Sequence, residues 1–241
     1  MVIGNGLVAR AFDAYRENNR YVIFASGVSD STNLNAELFN RERELLMQTL
    51  EQNEGKVFVY FSTCSVYDNG LKETAYVKHK LMVEKIIAEN HKHYFIFRVS
   101  NLAGHSTNTH TVLNFFVQHI LSGDFFYLWK NAHRNIIDID DAFAICNHTI
   151  MEDYLANKII NVANPVNYSV LDIVAAIERF TGKKGNYAVV EKYSLPEIDV
   201  SVAKDVIDKL NITFDENYLT SVINKYFATN DLQTGKTKIR G

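Results

Sequence analysis

Cysteine is scarce in this chain, which has only Cys64 and Cys146 among its 241 residues. Two cysteines are too few for a disulfide framework, and their wide separation lacks the paired spacing of a zinc site. No metal site is therefore predicted. A reduced, cytoplasmic setting is the simplest expectation.

A basic excess and long apolar runs are also missing. The 25 basic and 28 acidic residues leave a net charge of -3, so we expect no nucleic-acid partner. No uncharged run approaches the length that spans a bilayer, and the first residues lack the basic and apolar regions of a signal peptide. These absences argue against nucleic-acid-binding and membrane-spanning classes of protein.

The sequence does contain a regular alternation of strand and helix patterns. Short β-branched and aromatic runs predict strands at 1–3, 21–25, 57–61, 94–99 and 136–139. Between and after them, apolar residues at three- and four-residue spacing predict helices at 7–15, 38–50, 76–88 and 111–121. This alternation predicts an α/β fold, with one parallel sheet and helices on both of its faces.

The pattern changes beyond about residue 155. A short strand is predicted at 159–162, followed by helices at 170–180, 202–210 and 218–227. We therefore expect a first domain over residues 1–155 and a smaller C-terminal lobe over 156–241, to which residues 102–130 contribute. The polar segment 229–241 is expected to fray.

A glycine-rich turn follows the first predicted strand and opens a helix, as Gly4-Asn5-Gly6-Leu7-Val8-Ala9. In this context, G-x-G-x-x-G/A is the signature of a dinucleotide-binding turn. The first glycine permits the tight turn, the second lets the backbone approach a pyrophosphate, and Ala9 allows close packing of helix on strand. The alternative is a glycine turn that binds no ligand.

A hydroxyl cluster, Ser62-Thr63-Cys64-Ser65, ends the third predicted strand, and Tyr76-Val77-Lys78-His79-Lys80 follows in a predicted helix. Tyr76 and Lys80 are four residues apart, so their side chains project from one helix face. An ammonium close to a phenol lowers its pKa from roughly 10. We therefore expect Lys80 to lower the pKa of Tyr76, unless both residues lie on a solvated face.

Two more motifs follow: Phe97-Arg98-Val99-Ser100-Asn101-Leu102-Ala103-Gly104, and Arg134-Asn135-Ile136-Ile137-Asp138-Ile139-Asp140-Asp141. They are similar to the R-x-x-N-x-x-G and R-D-x-I-x-V-x-D elements of nucleotide-sugar epimerases. With the hydroxyl cluster and Tyr76 to Lys80, they identify a resemblance to the extended short-chain dehydrogenase/reductase superfamily, within its NAD-dependent epimerase/dehydratase family. The resemblance runs from Gly4 to about Leu210.

The resemblance implies a Rossmann-like fold, NAD or NADP as cofactor, and a homodimer formed by helices 38–50 and 76–88. It implies catalysis by Thr63, Tyr76 and Lys80, with a nucleotide-linked sugar bound by Asn101 and the anion clamp Arg134. The cofactor residues that it implies are Gly4, Gly6, Leu7, Val8, Ala25, Ser26, Ser62, Tyr76, Lys80, Val99 and Ser100.

The sequence departs from the family in two places. The second predicted strand, 21–25, runs into Ser26-Gly27-Val28-Ser29, and together they look like the fourth strand and loop of the family instead of its second strand. A strand-helix-strand portion is therefore missing. The acidic residue that distinguishes NAD from NADP is missing with it, and the choice of cofactor stays open. Where dehydratases of the family have an acidic pair, this chain has Cys64 and Ser65, which leaves epimerisation or keto-reduction.

Three functions follow as hypotheses. The first is an NAD(P)-dependent nucleotide-sugar epimerase or keto-reductase used in surface polysaccharide assembly, with Tyr76 as acid/base. The second is a catalytically inactive nucleotide-binding sensor or scaffold on the same fold. The third is a reductase of a non-sugar ketone, against which Asn101 and Arg134 argue.

The remaining polar residues near these motifs have structural interpretations. Ser65, Tyr60 and Tyr67 are expected in the core or in turns, and His79 at the surface. The residues expected at helix starts are Asp140 and Asp141 as caps, and Ser169 with Asp172 as a capping box variant.

Overall fold

The computed structural model describes residues 1–30, 33–106 and 108–228, so the fraying expected at 229–241 lies outside the described residues. The strands are β1 (Val2–Ile3), β2 (Tyr21–Phe24), β3 (Val57–Thr63), β4 (Tyr94–Val99), β5 (Asn101–Ala103), β6 (Phe125–Arg134), β7 (Ile136–Asp138), β8 (Lys158–Val162), β9 (Tyr168–Ser169) and β10 (Asn186–Ser194). The α-helices are α1 (Leu7–Ala11), α2 (Ala36–Gln52), α3 (Ala75–Asn90), α4 (Val112–Ser122), α5 (Ile139–Glu152), α6 (Val170–Thr181), α7 (Ser201–Lys209) and α8 (Tyr218–Phe227). Short 3-10 turns over Asp13–Tyr15 and Cys64–Tyr67 follow α1 and β3.

Five strands form one parallel sheet in the order β1-β2-β3-β4-β8. One apolar cluster covers a face of this sheet with α1, α5 and α7, and another covers the opposite face with α2 and α3. Strands buried on both faces read as continuous apolar runs, and all four residues of Tyr21–Phe24 are buried. The predicted α/β class with helices on both faces is confirmed.

The fifth strand of this sheet is not the one expected. β7 was predicted there, but it pairs with β5 in a separate two-stranded parallel sheet. The edge strand is β8, which was expected in the C-terminal lobe and instead pairs with β4. Both are short apolar runs, so their sequence pattern does not distinguish which of them reaches the sheet.

A second lobe is built on β6 and β10, two strands that the sequence interpretation did not include. They pair in parallel, and β9 pairs antiparallel with β6 to complete three strands. Helices α4, α6 and α8 pack their apolar residues against this sheet. In β6, Phe126 and Leu128 are buried whereas Phe125 and Tyr127 are exposed, the period-two pattern of a half-buried strand.

The chain returns to the first lobe after building the second. On α7, Ala203, Val206 and Ile207 are buried in the apolar cluster of the main sheet, whereas α8 packs on the second lobe. The expected boundary at residue 155 is therefore wrong for β8 and for α7. The two lobes are interleaved along the chain.

Helix starts agree only partly with the expectation. Ser169 caps α6 by accepting a hydrogen bond from Asp172 N at 3.0 Å, as expected. The cap of α5 is Asp138, whose carboxylate accepts from Asp140 N at 2.8 Å, and not Asp140 or Asp141. None of the helices in the described part of the chain is both long and apolar enough to cross a bilayer.

Candidate functional site

The carboxyl ends of the parallel strands meet along one edge of the main sheet, where open α/β sheets bind their ligands. The register pairs Ile3 with Phe24 and Thr63 with Val99, so these strand ends are adjacent. The structure thereby gathers the candidate residues Gly4, Ala25, Ser26, Ser62, Thr63, Val99 and Ser100 at this edge.

In the turn after β1, Gly4 packs against the end of β2, whereas Gly6 has free space beside its backbone. Gly4 has φ +120, and a Cβ there would lie 2.4 Å from the carbonyl oxygen of Ala25, so only glycine fits beside the end of β2. At Gly6 a Cβ would meet no atom within 4 Å. Gly6 also precedes α1 without a side-chain cap, which leaves first-turn amides available to an anion. The α-helix ends at Ala11 and a 3-10 turn follows, so it is shorter than the predicted 7–15.

Tyr76 lies in the first turn of α3, which Thr74 caps. Its side chain is buried close to the Thr63 hydroxyl, which itself donates to Ser65 Oγ at 2.9 Å, so the structure brings these two candidates together. Burial raises the pKa of Tyr76 to about 12, and the Glu42 carboxylate acts in the same direction, whereas the nearby Thr63 hydroxyl acts in the opposite direction. The phenol is therefore protonated at neutral pH.

Lys80 also lies at this site, with Nζ 5.9 Å from the centroid of the Tyr76 ring. Its ammonium is paired, however, because Nζ donates to Oε1 of Glu42 at 3.0 Å. Burial lowers the pKa of Lys80, and Glu42 acts in the opposite direction. The expectation that Lys80 lowers the pKa of Tyr76 is wrong, since burial raises that pKa and the Lys80 ammonium is paired with Glu42.

His79 is not at the surface, contrary to the expectation. It is buried between α3 and α2, with Nε2 at 3.0 Å from Oε2 of Glu42 and its ring stacked on Phe39 at 4.7 Å. Lys80 beside it is buried too, whereas Lys78 is exposed, because α3 packs one face against the sheet and α2 and leaves the other face to solvent. His79 lies on the buried face of this amphipathic helix.

The two serine candidates at the sheet edge differ in what their hydroxyls contact. Ser62 Oγ donates to Oε1 of Glu84 at 2.5 Å, inside the protein. Ser100 Oγ is buried and has no hydrogen-bond partner among the described residues. Buried hydroxyls nearly always have a partner, so Ser100 is the serine that fits a bound ligand.

Asn101 contacts the residue that follows Arg134, and Arg134 itself contacts the end of β10. Asn101 Nδ2 donates to the carbonyl oxygen of Asn135 at 2.7 Å. Arg134 Nη1 donates to Oγ of Ser194 at 2.8 Å, and Ser194 in turn donates to Oδ2 of Asp68 at 2.7 Å. Burial lowers the pKa of Arg134, and Asp68 acts in the opposite direction.

A cavity of about 380 Å³ opens beside Arg134 in the second lobe. Its wall is mainly aromatic and apolar, made by His110, Val112, Phe115, Phe116, Tyr127, Trp129, Arg134 and Val170. Two cations lie near the Trp129 ring, with Lys192 Nζ at 3.6 Å and the Arg134 guanidinium carbon at 5.4 Å from its centroid. Flat aromatic walls beside a guanidinium suit a ligand that has both a ring and an anionic group.

Residues 21–163 match the NAD dependent epimerase/dehydratase family. The chain belongs to this family. The match covers more than half of the chain and includes Tyr76, Lys80 and Arg134, but it begins after the glycine turn. No curated protein matches the chain by sequence.

Solved structures of similar fold include RMD from Pseudomonas aeruginosa complexed with NADPH, with 12% identity, a TM-score of 0.72, and coverage of 92% of this chain and 96% of that one. The dTDP-glucose 4,6-dehydratase of Bacillus anthracis str. Ames in complex with NAD has 14% identity, a TM-score of 0.69, and coverage of 94% and 78%. UDP-glucose 4-epimerase from Bifidobacterium longum in complex with NAD+ and UDP has 17% identity, a TM-score of 0.63, and coverage of 90% and 78%. At these identities the likeness shows the fold.

The sheet edge of this family member fits a nicotinamide dinucleotide in some respects and departs from it in others. The open backbone at Gly6 and the unpartnered hydroxyl of Ser100 fit a ligand along the sheet edge. Beyond β1, in contrast, no described strand extends the sheet. Lys80 is buried in an ion pair with Glu42, so it offers no unpaired positive charge to a ligand at this edge.

Sequence reasoning missed Glu42, Asp68 and Ser194 in this family member. Glu42 did carry a signal, because it lies four residues after Leu38 and four before Leu46, on the apolar stripe of α2. A carboxylate on a buried stripe requires a partner. Asp68 and Ser194 lie in a loop and at a strand end, and no pattern in the sequence indicates their contact.

Proposed function

We propose that this chain is an NAD(P)-dependent keto-reductase or epimerase of a nucleotide-linked sugar, in which Tyr76 transfers the proton. The observation that carries the proposal is the proximity of the Thr63 hydroxyl to the Tyr76 phenol at the carboxyl edge of the sheet. Ser100, whose hydroxyl has no hydrogen-bond partner among the described residues, directly follows the adjacent strand β4. Thr63 and Tyr76 are then the two groups that hydrogen-bond the reacting oxygen of the sugar.

A dinucleotide would be held by the glycine turn, by Ala25 and Ser26, and by Val99 and Ser100, and its nicotinamide supplies or accepts the hydride. Tyr76 contributes a phenol that is protonated at neutral pH, because burial raises its pKa to about 12. A protonated phenol donates a proton to an oxygen that gains negative charge. This supports the reductive direction more than an oxidation.

The chemistry of Cys64, the residue after Thr63, supports the proposal that the reaction is not a dehydration of the sugar. Cys64 is buried, its thiol donates to the carbonyl oxygen of Arg98 at 3.1 Å, and burial raises its pKa to about 12. Such a thiol neither protonates a leaving hydroxyl nor abstracts a carbon-bound proton at neutral pH.

The proposed substrate carries a nucleoside diphosphate. Arg134 would bind the diphosphate through its guanidinium fork, and Tyr127 and Trp129 offer ring faces to the base. Asn101 contributes an amide next to the same site. Nucleotide-linked sugars are precursors of surface polysaccharides, and we place the enzyme in that synthesis, in the cytoplasm.

A homodimer is part of the proposal, with α2 and α3 of each copy in the interface. Large apolar side chains are exposed on both helices, namely Met47 on α2 and Leu81 and Met82 on α3. Exposed apolar groups on adjacent helices favour association with a second copy.

The decisive experiment compares wild type with Tyr76→Phe in assays with NADH and NADPH on nucleotide-linked keto sugars, and with NAD on UDP-sugars. We expect Tyr76→Phe to lower kcat by a factor of about 100 or more, while the melting temperature changes little. Tyr154→Phe, at an exposed tyrosine, is the matched control. Equal activity of Tyr76→Phe and wild type would remove Tyr76 from the mechanism.

A second candidate is a catalytically inactive nucleotide-binding protein on the same fold. The observation that favours it is the ion pair of Lys80 with Glu42, which leaves the site without an unpaired ammonium beside Tyr76. The same samples discriminate the two functions. A rise in melting temperature with UDP, without turnover and without a shift in millimolar NAD or NADP, is the expected result for this second function.

A further inference from the structure

We infer that Lys192 is a specificity-determining residue of the cavity beside Arg134: its ammonium covers the ring of Trp129 and leaves that ring only for an anionic group of the ligand. The cavity then admits a nucleotide that carries a diphosphate in preference to the uncharged nucleoside. The inference deepens the proposed function and rests on it for the identity of the ligand.

Lys192 lies on the indole ring of Trp129, a half-buried residue of the cavity wall. Its Nζ is 3.6 Å from the ring centroid, whereas the guanidinium carbon of Arg134 is 5.4 Å from the same centroid. An ammonium over an aromatic ring is attracted by the negative face of that ring. Because it lies against this face, the ammonium occupies a surface on which a base could otherwise stack.

An irregularity in β10 brings Lys192 to this place. β10 pairs with β6 in regular register up to Val190, and the register shifts before Tyr193, so Lys192 lies in the irregular part. A bulge bends its strand and changes the direction of the side chains there. Ser194 follows, and its hydroxyl accepts a hydrogen bond from Arg134 at 2.8 Å. The irregular end of β10 therefore contacts two parts of the cavity wall.

The carboxylate next to Lys192 in the sequence is paired with other residues. Glu191 accepts hydrogen bonds from Lys130 Nζ at 2.9 Å and from Asn131 Nδ2 at 2.7 Å. Within the described part of the chain Lys192 forms no ion pair, and the ring of Trp129 is the contact of its ammonium. The ring of the cavity wall is therefore covered by a positive charge that no carboxylate neutralises.

The relative strength of two contacts decides where this ammonium lies. Attraction to an exposed aromatic ring is weaker than a charge-assisted hydrogen bond to a phosphate oxygen. A lysine side chain is long and flexible, so it reaches another position without movement of the backbone. A diphosphate held by Arg134 therefore draws the ammonium of Lys192 to itself and uncovers the ring. An uncharged nucleoside offers nothing that replaces the contact with the ring.

The first test compares the affinities for UDP and for uridine, two ligands that differ by the diphosphate. Trp129 is the only tryptophan in the chain, so its fluorescence reports binding at this cavity. In Lys192→Ala we expect the ratio of UDP affinity to uridine affinity to fall by about tenfold or more. The reason is that UDP loses a cation, while uridine gains an uncovered ring. An unchanged ratio overturns the inference.

Two further variants separate charge from general effects of substitution. Lys192 is exposed, so its variants should fold as wild type does. Lys192→Arg retains a cation that can lie on the ring and bind phosphate, so its ratio should stay close to that of wild type. Lys183→Ala removes an exposed lysine just after α6, whose Nζ donates to the carbonyl oxygen of Leu121, and should leave the ratio unchanged. A fall in either variant as large as in Lys192→Ala overturns the inference.

Wild type supplies a direct measurement of where the ammonium lies. In protein with ¹³C-labelled lysine, the Cε protons of Lys192 are assigned by their loss in Lys192→Ala. The ring of Trp129 should shift their NMR signal upfield from those of the other lysines. Addition of UDP or of inorganic pyrophosphate should remove this shift. A Lys192 signal that lacks the shift without ligand, or that keeps it when UDP is bound, overturns the inference.

The inference and the proposed function fail in different ways. Movement of Lys192 off the ring with UDP or pyrophosphate, with no turnover of any nucleotide sugar, supports the role of Lys192 and removes the proposed reaction. Turnover by wild type while Lys192 stays on the ring retains the reaction and removes the role of Lys192. Failure of both UDP and pyrophosphate to bind also overturns the inference.

Discussion

Arg134 lies where the second lobe meets the loop that leads to the Tyr76 helix. Within the described part of the chain its side-chain hydrogen bonds are made by Nη1, to the carbonyl oxygen of His133 and to Ser194. Oδ2 of Asp68, which accepts a hydrogen bond from Ser194, lies 3.8 Å from Arg134 Nη1. The guanidinium is therefore oriented before any substrate binds. Orientation by the protein reduces the entropy that a ligand must remove on binding.

We predict that Arg134→Lys weakens the binding of UDP by about tenfold or more, which corresponds to about 1.4 kcal/mol. Lysine retains the charge but lacks the planar fork that matches two phosphate oxygens. Isothermal titration calorimetry measures the change, and Arg179→Lys, at an exposed position on α6, is the matched control. Unchanged affinity for UDP would show that Arg134 does not bind the diphosphate.

Two capping residues fix the starts of helices that contribute to the site, one in each lobe. Thr74 begins α3 and so determines where Tyr76 lies. Ser169 begins α6, whose next residue, Val170, forms part of the cavity wall. In α6 the contact is reciprocal, since the Ser169 hydroxyl accepts from Asp172 N and donates to Oδ2 of Asp172 at 2.6 Å.

Ser169→Ala should lower the free energy of unfolding by about 1 kcal/mol, because it leaves the Asp172 amide without its cap. Urea denaturation of the variant and of wild type gives the difference. Ser169→Thr retains a hydroxyl and should lose less stability than the alanine variant. Equal stability of Ser169→Ala and wild type would mean that the cap contributes nothing measurable.

The whole molecule consists of two lobes that the chain enters more than once. The main sheet takes its edge strand β8 from beyond β6 and β7, and α7 joins it after the second lobe has been built. At the opposite edge, β1 contributes two residues and pairs with β2. The exposed apolar residues of α2 and α3 lie on the helices that cover one face of this sheet.

We predict that two copies of the chain associate through α2 and α3. Wild type should be a dimer by multi-angle light scattering, and Met47→Glu combined with Met82→Glu should be a monomer, because buried unpaired carboxylates oppose association. Met151→Glu, at a methionine on α5 that is 65% exposed, should remain a dimer. A monomeric wild type would contradict the proposed interface.

The sequence alone determined the features that depend on neighbours within one element. Strand and helix patterns predicted the α/β class, the helix at 218–227 and the capping of α6 by Ser169, and the four-residue spacing placed Tyr76 and Lys80 on one helix. These features arise from periodicity and local hydrogen bonds, which a short window of sequence contains.

Only the tertiary structure decided which distant groups meet. Glu42 and Lys80 are 38 residues apart, and Asp68 and Ser194 are 126 apart, so their contacts depend on how whole elements pack. The choice of β8 over β7 for the main sheet was decided in the same way. An ammonium can be recognised from its residue type, but whether it remains available to Tyr76 depends on which carboxylate the fold places beside it.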